Sequence, residues 1–366
     1  MKKLKVIVSG GGTGGHIFPA IAIAKSLENK VSDIELLFVG AKDRMEMQKV
    51  PEAGYKIEGL WISGFQRSFS SRNLMFPFKL ISSVIKSMKI VRRFKPDLVI
   101  GTGGFASGPL LFVASRKGIP SVIQEQNSYP GITNKVLSKY VNKVCVAYDN
   151  MERFFPKDKI IFTGNPIRKA ILNFKDKREE GKKLFGVNNG KITILVVGGS
   201  LGARTINESI KESISEFANN ELNLIWQTGT SFSDEAKNII EDINIYGISS
   251  HMFIRQMDLA YAASDIIVSR AGAIAISELC FVGKPILLVP SPNVAEDHQT
   301  QNAQSLVNKN SALMVKDVDA KRKLVSELIS LSRNKDLQGL LSSNIQKLSV
   351  DNAAVRISDL SLNLIE

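Results

Sequence analysis

Residues 4–27 read LKVIVSGGGTGGHIFPAIAIAKSL. Leu4–Ser9 is a short apolar run typical of a buried strand, and Ile17–Leu27 carries apolar residues at helical spacing. Between them, the glycines of Gly10–His16 permit positive φ and let backbone N–H groups approach a ligand at a helix N-terminus. This strand, glycine turn and helix predict the beginning of a doubly wound α/β domain.

Short apolar runs alternate with helical or glycine-rich stretches along the chain of 366 residues. The later runs are Ile34–Val39, Asp97–Ile100, Ser121–Ile123, Ile192–Val197, Leu222–Gln227, Ile266–Val268 and Pro285–Val289. This alternation predicts parallel sheets with helices on both faces. Because the pattern restarts after Thr163–Pro166, we predict two doubly wound domains, residues 1–164 and 165–345. The chain ends in an amphipathic helix, Val355–Ile365.

Glycine turns follow strands at three further places, Gly101–Phe105, Val197–Arg204 and Ser269–Ala273. A single turn of this kind is weak evidence of a site, because glycines also allow tight packing between a strand and a helix. Four turns, two in each domain, are better explained by ligands, which bind at the carboxyl ends of strands in open α/β sheets. We therefore expect the two domains to face each other across one ligand-binding cleft.

The first turn does not match a dinucleotide site. Its spacing departs from GxGxxG, and Val39 is followed by Gly40–Asp43 without a convincing carboxylate for a ribose.

Polar residues beside the other turns suit a nucleotide sugar. Ser200 can donate to a phosphate, Arg168 can meet a pyrophosphate, and Glu278 can accept both hydroxyls of a ribose. Segment 297–302 adds amides suited to sugar hydroxyls. A solvated helix carboxylate at Glu278 and a plain polar loop at 297–302 are the alternatives.

The net charge of +13 is concentrated in the first half of the chain. Residues 1–164 hold 25 Lys and Arg against 12 Asp and Glu, whereas residues 165–366 hold 23 of each. The first domain should therefore face an anionic partner, either nucleic acid or an anionic bilayer. The two distant cysteines, Cys145 and Cys280, suit a reducing compartment and have no zinc-site spacing. No window reaches the roughly 20 apolar residues of a membrane span, so we expect a cytosolic or peripheral protein.

No acidic residue lies between Glu58 and Asp97, in a gap that holds eight cations among aromatic and aliphatic residues. The cations are Arg67, Arg72, Lys79, Lys86, Lys89, Arg92, Arg93 and Lys95. From Lys79 onward, a stripe at helical spacing is interpreted mostly as ordinary core. The stripe consists of Leu80, Ile81, Val84, Ile85, Met88 and Val91. The irregular segment Phe65–Phe78 is apolar and basic together and rich in Phe, which favours docking on anionic lipid over single-stranded nucleic acid.

Seven motifs, in chain order, resemble those of the glycosyltransferase family 28 enzymes of peptidoglycan synthesis, which add N-acetylglucosamine to lipid I. They are GGGTGGH at 10–16, GTGGFASGP at 101–109, EQN at 125–127 with PGxxNK at 130–135, TGNPIR at 163–168, GGSLGAR at 198–204, SRAGAIAISE at 269–278 and EDHQTQNA at 296–303. The resemblance implies a GT-B fold of two Rossmann-like domains without a cofactor. It also implies that a C-terminal helix of roughly residues 346–366 packs back on the first domain.

The resemblance implies that the donor, UDP-N-acetylglucosamine, binds mainly to the second domain. By motif position, the backbone of Ile254 reads uracil, Glu278 holds the ribose, and the phosphates meet Ser200 and Arg168. Gln299 contacts the sugar, and this chain has Thr300 where some members have a second glutamine. The other implied donor contacts are Thr13, Gly14, Gly15, Asn127, Ala273, Ile274, Ala275, Ile276 and Ser277. The implied acceptor contacts are Gly103, Gly104 and Glu125.

The implied reaction is an inverting displacement by the 4-hydroxyl of the lipid-linked muramyl sugar, which forms lipid II and releases UDP. We predict His16 as the base, because imidazole suits proton transfer near neutral pH. The alternative is that His16 only caps its helix or binds substrate, with His298 and His251 as weaker candidates for the base. Helix N-termini and Arg168 can meet the charge of the leaving diphosphate without a metal, and no DxD-like pair accompanies the turns.

The implied location is the cytoplasmic face of the bacterial plasma membrane, as a peripheral protein. The expected partners are UDP-N-acetylglucosamine, lipid I (undecaprenyl-pyrophosphoryl-muramyl-pentapeptide) and an anionic membrane surface, without nucleic acid.

Other functions stay open from the residues. A transferase acting on diacylglycerol shares the expected fold and donor motifs, as does a UDP-sugar 2-epimerase, which has no need of a Phe-rich basic loop. An NAD-dependent dehydrogenase is disfavoured by the missing ribose carboxylate and the doubled glycine turns. A non-enzymatic binding protein for lipid or nucleic acid would require inert donor motifs.

Overall fold

A computed structural model of the chain describes residues 3–64 and 75–365. The chain divides into two compact units. Unit 1 comprises Met1–Ile167 together with Val350–Glu366, and unit 2 comprises Arg168–Ser349. The division therefore falls between Ile167 and Arg168, within the TGNPIR motif.

Unit 1 is built on a seven-stranded parallel sheet in the order β3-β2-β1-β4-β5-β6-β7. Its strands are β1 Leu4–Gly10, β2 Ile34–Ala41, β3 Ile57–Leu60, β4 Leu98–Gly103, β5 Ser121–Glu125, β6 Lys143–Val146 and β7 Ile160–Phe162. Val8 of β1 lies opposite Phe38 of β2 and Ile100 of β4. The strand order reverses at β1, so the turns after β1 and β4 emerge side by side, where such sheets bind ligands.

The described residues of unit 1 ahead of Ile167 include five helices. They are α1 Gly14–Lys30, α2 Glu46–Glu52, α3 Phe76–Phe94, α4 Ser107–Arg116 and α5 Ile132–Leu137. Ile17, Ile23 and Leu27 of α1 are fully buried and pack against Val6 and Val8 of β1 in one core cluster. The apolar spacing that predicted this helix is thus the face that covers the sheet.

Unit 2 repeats the plan with a six-stranded parallel sheet in the order β10-β9-β8-β11-β12-β13. Its strands are β8 Thr193–Val197, β9 Asn223–Gln227, β10 Ile248–His251, β11 Ile266–Ser269, β12 Ile286–Leu288 and β13 Leu313–Met314. Its helices are α6 Arg178–Phe185, α7 Arg204–Glu212, α8 Ile214–Asn219, α9 Ser233–Ile243, α10 Met257–Ala263, α11 Ala273–Val282, α12 His298–Val307, α13 Ala320–Arg333 and α14 Lys335–Gln346. Trp226 of β9 is the largest fully buried side chain of the described residues.

The last helix, α15 Ala353–Leu362, belongs to unit 1. Ile357 is fully buried in the core cluster that contains α1, and Nζ of Lys30 lies 2.6 Å from Oδ1 of Asp359. Gly164, at φ +77°, lies under the returning chain, because a Cβ there would be 2.6 Å from Cβ of Val350. The end of the chain thus completes the core of unit 1.

The interpretation of the α3 stripe as core is wrong. Leu80, Ile81, Ile85 and Met88 are 38–59% exposed, and of the predicted stripe only Val91 is buried. The buried members of α3 are instead Ser83, Ser87, Ile90 and Val91. Helical spacing of apolar residues predicts that a helix has an apolar face, but it does not predict whether that face packs on the protein core. Of the Phe65–Phe78 segment, residues 65–74 lie outside the described residues.

No helix among the described residues is long and apolar enough to cross a membrane.

Candidate active site

Two glycine turns of unit 1 lie in direct contact at the carboxyl edge of its sheet. Gly10 pairs with Gly103, and the N–H of Gly11 donates to the Gly103 carbonyl at 3.3 Å. A Cβ on Gly104 would lie 2.2 Å from the Gly11 carbonyl oxygen, and one on Gly10 would lie 1.9 Å from Oγ1 of Thr102. These glycines are therefore required for the close approach of the two turns.

His16 lies in the first turn of α1, and its ring contacts the second glycine turn. Nδ1 lies 3.0 Å from the Thr102 carbonyl oxygen and 2.9 Å from Oε1 of Gln126. Both neighbours are acceptors, so Nδ1 carries the proton and Nε2 keeps its lone pair in the neutral ring. A Cβ on Gly103 would lie 2.8 Å from Nδ1, and φ there is +101°, so glycine makes room for the imidazole. His16 thus has the tautomer that a general base needs at Nε2.

Two buried glutamines fix the orientation of His16. Nε2 of Gln126 donates to the carbonyls of Thr102 at 2.7 Å and Gln124 at 3.1 Å, which directs its Oε1 toward the imidazole. Nε2 of Gln124 donates to Oδ1 of Asn165 at 2.7 Å, and Nδ2 of Asn165 donates to the Gln126 carbonyl at 3.0 Å. Such a connected network favours one arrangement of its members, and hence one orientation of the ring.

The start of α1 presents backbone N–H groups next to His16. Thr13 is extended (φ −147°, ψ 158°), and its carbonyl accepts from the N–H of His16 at 3.1 Å and of Ile17 at 3.2 Å. Gly14 and Gly15 begin the helix, where N–H groups have no acceptor within the helix. The dipole of α1 adds positive potential at this end, so Thr13–Gly15 suits an anionic or strongly polar ligand group.

Glu125 and Asn127, predicted as acceptor and donor contacts, bind each other. Oε1 of Glu125 accepts from the N–H and from Nδ2 of Asn127 at 3.0 and 3.2 Å. Oε2 accepts from Nδ2 of Asn134 at 2.9 Å and from the N–H of Gly131 at 3.3 Å. Glu125 is 2% exposed, so its carboxylate organises the loop after β5, in which Asn127 is half-buried.

In unit 2, the third glycine turn holds Ser200 at the surface. Gly199 at φ +85° and Gly202 at φ +93° flank it, and its carbonyl accepts from the N–H of Thr230 at 3.1 Å. Helix α7 begins only at Arg204, so Ser200 lies in the loop ahead of the helix rather than in its first turn. The hydroxyl therefore extends from a loop that the glycines shape.

The fourth turn leads directly into α11, whose N-terminus is open. Gly272 precedes the helix with φ −68° and ψ 139° and has no side chain to cap it, so the N–H groups of residues 273–275 have no acceptor within the helix. Ile276 is 2% exposed, and Oγ of Ser277 donates to the Ala273 carbonyl at 3.0 Å. Residues 273–275 thus present donors, whereas the side chains of Ile276 and Ser277 pack and bond within the protein.

Arg168 and Glu278 form an ion pair in unit 2. Nε of Arg168 donates to Oε1 of Glu278 at 2.6 Å, and Nη2 donates to Oε2 at 2.5 Å. Burial alone would lower the pKa of Arg168, but the hydrogen bond and charge of buried Glu278 outweigh it and raise that pKa. Burial, followed by the charge of Glu278, also raises the pKa of the Tyr261 hydroxyl beside the pair. The residues predicted for ribose and phosphate are therefore partners of each other.

The two remaining residues predicted to bind the nucleotide sugar, Ile254 and Gln299, are each held by a hydrogen bond between a backbone N–H and a glutamine side chain. The N–H of Ile254, a buried residue, donates to Oε1 of Gln227 at 3.0 Å. Oε1 of Gln299 accepts from the N–H of Ser291 at 2.9 Å, which leaves its Nε2 end to donate to a ligand. Oγ1 of the neighbouring Thr300 donates to Oδ1 of Asp297 at 2.7 Å.

The predicted residues thus form two groups, one in each unit. His16 is brought together with Gly103 and the start of α1, and Arg168 with Glu278. Among the described residues, no hydrogen bond joins Ser200, Ile254 or Gln299 to the Arg168–Glu278 pair. Residues 3–64 and 75–365 also contain no cluster of three or more His, Cys, Asp or Glu side chains that could hold a metal ion.

Both halves of the chain match models of one enzyme family. The Glycosyltransferase family 28 N-terminal domain matches residues 6–146, and the Glycosyltransferase family 28 C-terminal domain matches residues 193–357. The chain belongs to glycosyltransferase family 28.

Relatives within family 28 are similar over their full length. Proteins of Flavobacterium psychrophilum and Cytophaga hutchinsonii are 54% and 53% identical to this chain. The first match covers 100% of this chain and 99% of the relative, and the second covers 97% and 95%. Both are named UDP-N-acetylglucosamine–N-acetylmuramyl-(pentapeptide) pyrophosphoryl-undecaprenol N-acetylglucosamine transferase.

Solved structures share the fold of this family 28 chain. The crystal structure of MurG from Acinetobacter baumannii matches with a TM-score of 0.80 and 28% identity, over 98% of this chain and 99% of that one. With its two parallel-sheet units, the chain has the GT-B fold. A UDP-GlcNAc 2-epimerase from Neisseria meningitidis matches with a TM-score of 0.64 at 16% identity, covering 99% and 100% of the chains, which shows a shared fold alone.

The sequence analysis missed residues that support the two groups, one in each unit of this family 28 chain. In unit 1 they are Thr102, Gln124 and Gln126, which contact His16 directly or through each other; Gln126 lay inside the EQN motif, which was the available signal. In unit 2, Arg270 donates to the carbonyls of Val289 and Pro290 at 3.0 and 3.2 Å and pairs with Asp317. Arg270 therefore ties the fourth glycine turn to the segment after β12 and to Asp317.

Proposed function

We propose that this protein transfers N-acetylglucosamine from UDP-N-acetylglucosamine to the 4-hydroxyl of the muramyl sugar of lipid I, forming lipid II. The observation that carries the proposal is the 54% identity that extends over the whole chain to a transferase named for that donor and acceptor. The geometry of the two glycine-turn groups supplies a chemical route for the same reaction.

The donor nucleotide binds to unit 2 through an exchange of partners at Glu278. The carboxylate accepts two hydrogen bonds from Arg168, and its two oxygens match the two hydroxyls of a ribose. When the ribose hydroxyls donate to Glu278, the guanidinium of Arg168 becomes free to bind the diphosphate. Two parallel N–H···O hydrogen bonds from arginine to phosphate oxygens are favourable. Gln299 directs its Nε2 end to the sugar, and the backbone at Ile254 meets the uracil.

The leaving diphosphate is stabilised by donors that are in place before the reaction. The open N-terminus of α11 offers the N–H groups of residues 273–275 and the positive end of the helix dipole. Ser200 adds a hydroxyl from the neighbouring turn, and Arg168 adds a positive charge. Preorganised donors of this kind stabilise developing negative charge without reorganising during the reaction. A metal ion is not required for this role.

His16 is the general base for the acceptor hydroxyl. The Nδ1–H group is held by Thr102 and Gln126, so Nε2 is the nitrogen that takes the proton. The two acceptors at Nδ1 also stabilise the imidazolium that forms, as a carbonyl or carboxylate does behind other catalytic histidines. The hydroxyl attacks the anomeric carbon as UDP departs, so one displacement turns an α donor into a β linkage.

The acceptor sugar approaches the glycine turns of unit 1. Gly103 and Gly104 leave the backbone open beside His16, and Glu125 holds the loop that carries Asn127. Thr13, Gly14 and Gly15 offer N–H groups at the start of α1, which close on the donor sugar. Unit 1 thus receives the acceptor, and unit 2 holds the nucleotide.

Unit 1 docks on the anionic cytoplasmic surface of the membrane through α3. The exposed apolar residues Phe78, Ile81, Ile85 and Met88 lie on a helix that also carries exposed Lys89 and Arg92. An amphipathic helix of this composition binds by burying its apolar face while its cations meet anionic headgroups. The excess of positive charge in residues 1–164 acts in the same direction.

The proposal is tested by incubating the protein with labelled UDP-N-acetylglucosamine in the presence and absence of lipid I. We expect label in the lipid fraction only when lipid I is present. One molecule of free UDP should be released for each labelled lipid formed. Conversion of the nucleotide sugar to an epimer without acceptor would instead identify an epimerase. Label that stays on the nucleotide sugar under both conditions would refute the transferase.

A further inference from the structure

A carboxylate does follow β2, but it faces the protein rather than a cofactor ribose. Glu46, the first residue of α2, is fully buried. Its Oε2 accepts from the N–H of Gly12 at 2.9 Å, and its Oε1 accepts from the N–H of Ala41 at 2.9 Å. The side chain thus bridges the end of β2 and the first glycine turn.

The surrounding backbone is shaped to admit this carboxylate. A Cβ on Gly11 would lie 2.0 Å from Oε1 of Glu46, and a Cβ on Gly40 would lie 2.5 Å from its Cγ. No cationic side chain of residues 3–64 and 75–365 forms an ion pair with it. A buried carboxylate without a cation depends on its N–H donors and on the helix dipoles near it. Its place is therefore tightly defined by the turn it holds.

We propose that Glu46 is a positioning residue for the transfer reaction. Glu46 holds the first glycine turn in place. The position of that turn determines where α1 begins and hence the positions of Thr13 and His16. The inference rests on the proposed function, because it assigns a role in that reaction. Being fully buried, Glu46 does not touch substrate, and its effect passes through the backbone of Gly12.

The carboxylate also takes one of the N–H groups with which the turn could bind an anion. The N–H of Gly12 is given to Glu46 and that of Gly11 to the Gly103 carbonyl. In a dinucleotide-binding domain, N–H groups of this turn and the helix behind it receive a pyrophosphate. Here a second anion at the same N–H groups would be repelled by Glu46. This arrangement weighs against the dehydrogenase alternative.

The test compares Glu46→Gln with Glu52→Gln, which alters an exposed carboxylate of the same short helix. The amide keeps the size of Glu46 but turns a donor toward one of the two N–H groups. We expect kcat to fall about 10- to 100-fold in Glu46→Gln, with the affinity for UDP, whose proposed contacts lie in unit 2, within about twofold of wild type. Glu52→Gln should retain wild-type values.

Unchanged kcat in Glu46→Gln would overturn the inference. So would an equal loss of turnover and UDP affinity, because a general loss of structure affects both. A wild-type protein that transfers no sugar to lipid I would refute the proposed function instead, so the two failures are distinguishable.

A second comparison tests the contact itself. Gly11→Ala adds a methyl group against Glu46 in the wild-type chain, whereas Glu46→Ala removes the atoms it would meet. We expect Gly11→Ala to reduce kcat at least fivefold more in the wild-type chain than in the Glu46→Ala chain. Equal effects in both chains would contradict the contact.

Discussion

Arg168 and Glu278 form a two-contact ion pair, with 2.6 Å from Nε to Oε1 and 2.5 Å from Nη2 to Oε2. Both oxygens that a ribose would use are thus taken by the guanidinium that a diphosphate would use. In the proposed mode of binding, UDP separates the pair, and its diphosphate replaces Glu278 as the partner of Arg168. A ligand with ribose but no phosphate lacks that compensation.

Replacing Arg168 with Ala should change the preference of the site between UDP and uridine. The diphosphate loses its cation, whereas the ribose meets a Glu278 that no longer holds an arginine. We expect the ratio of UDP to uridine affinity, measured by titration calorimetry, to fall at least tenfold, about 1.4 kcal/mol. The melting temperature should also fall, because Glu278 is left buried and unpaired.

The matched control is Arg178→Ala, which breaks a pair with Asp265 of 2.7 Å from Nη2 to Oδ1 in the same unit. It should lower the melting temperature and keep the affinity ratio. An unchanged ratio in Arg168→Ala would contradict the exchange.

Replacing His16 with Ala should remove catalysis and leave donor binding intact. The acceptor hydroxyl loses its base, and loss of a general base costs about 10²- to 10⁴-fold in kcat. The affinity for UDP should stay within about twofold, because the proposed nucleotide contacts lie in unit 2. His251→Ala is the control, since that ring bonds to Ser249 and packs on Phe185. Equal kcat values in the two variants would exclude His16 as the base.

A methyl group on Gly103 should disturb His16 directly. Gly103→Ala places a Cβ 2.8 Å from Nδ1 at a residue with φ +101°. We expect kcat to fall at least tenfold together with a loss of about 1–3 kcal/mol in unfolding free energy. Gly118→Ala is the control: its φ is +70°, but nothing lies within 4 Å of the added Cβ. Gly118→Ala should lower the free energy of unfolding by about 1 kcal/mol and leave kcat unchanged. If Gly118→Ala lowered kcat as much as Gly103→Ala does, backbone strain rather than contact with His16 would explain the loss.

An acidic residue on the exposed face of α3 should weaken membrane binding. Ile81 is 59% exposed, and Ile81→Glu removes apolar area and adds a charge that anionic lipids repel. We expect the partition coefficient on vesicles containing anionic lipid to fall about tenfold or more. Val318→Glu, at an 82% exposed position of unit 2, should leave partitioning unchanged. Equal partitioning by both variants would exclude α3 as the docking surface.

The central strands were predictable from sequence because buried parallel strands are nearly continuous apolar runs. The predicted runs for β1, β2 and β8 fall on the observed strands to within two residues. Strands β3, β6, β7, β10 and β13 were missed: they are two to four residues long, and all of them except β6 lie at sheet edges. Short edge strands bury too little apolar surface to leave a clear pattern.

The glycine turns of the candidate site were predictable because they are local, whereas contacts between residues distant in the chain were not. The glycine turns could be read directly, since a positive φ or a close approach leaves glycine in the sequence. The partners of His16 are 86 and 110 residues away along the chain, and no spacing rule connects them. The contacts of Glu46 were equally unpredictable. The sequence shows no convincing ribose-binding carboxylate in Gly40–Asp43, and the carboxylate that follows, Glu46, binds the protein's own backbone.

The most direct test of the central claim compares three acceptors with labelled UDP-N-acetylglucosamine. They are lipid I, a lipid I analogue that lacks the 4-hydroxyl of the muramyl sugar, and diacylglycerol. We predict transfer to lipid I, with a β linkage in the product by NMR, and no transfer to the other two. Transfer to diacylglycerol alone, or equal transfer to lipid I and its 4-deoxy analogue, would contradict the account.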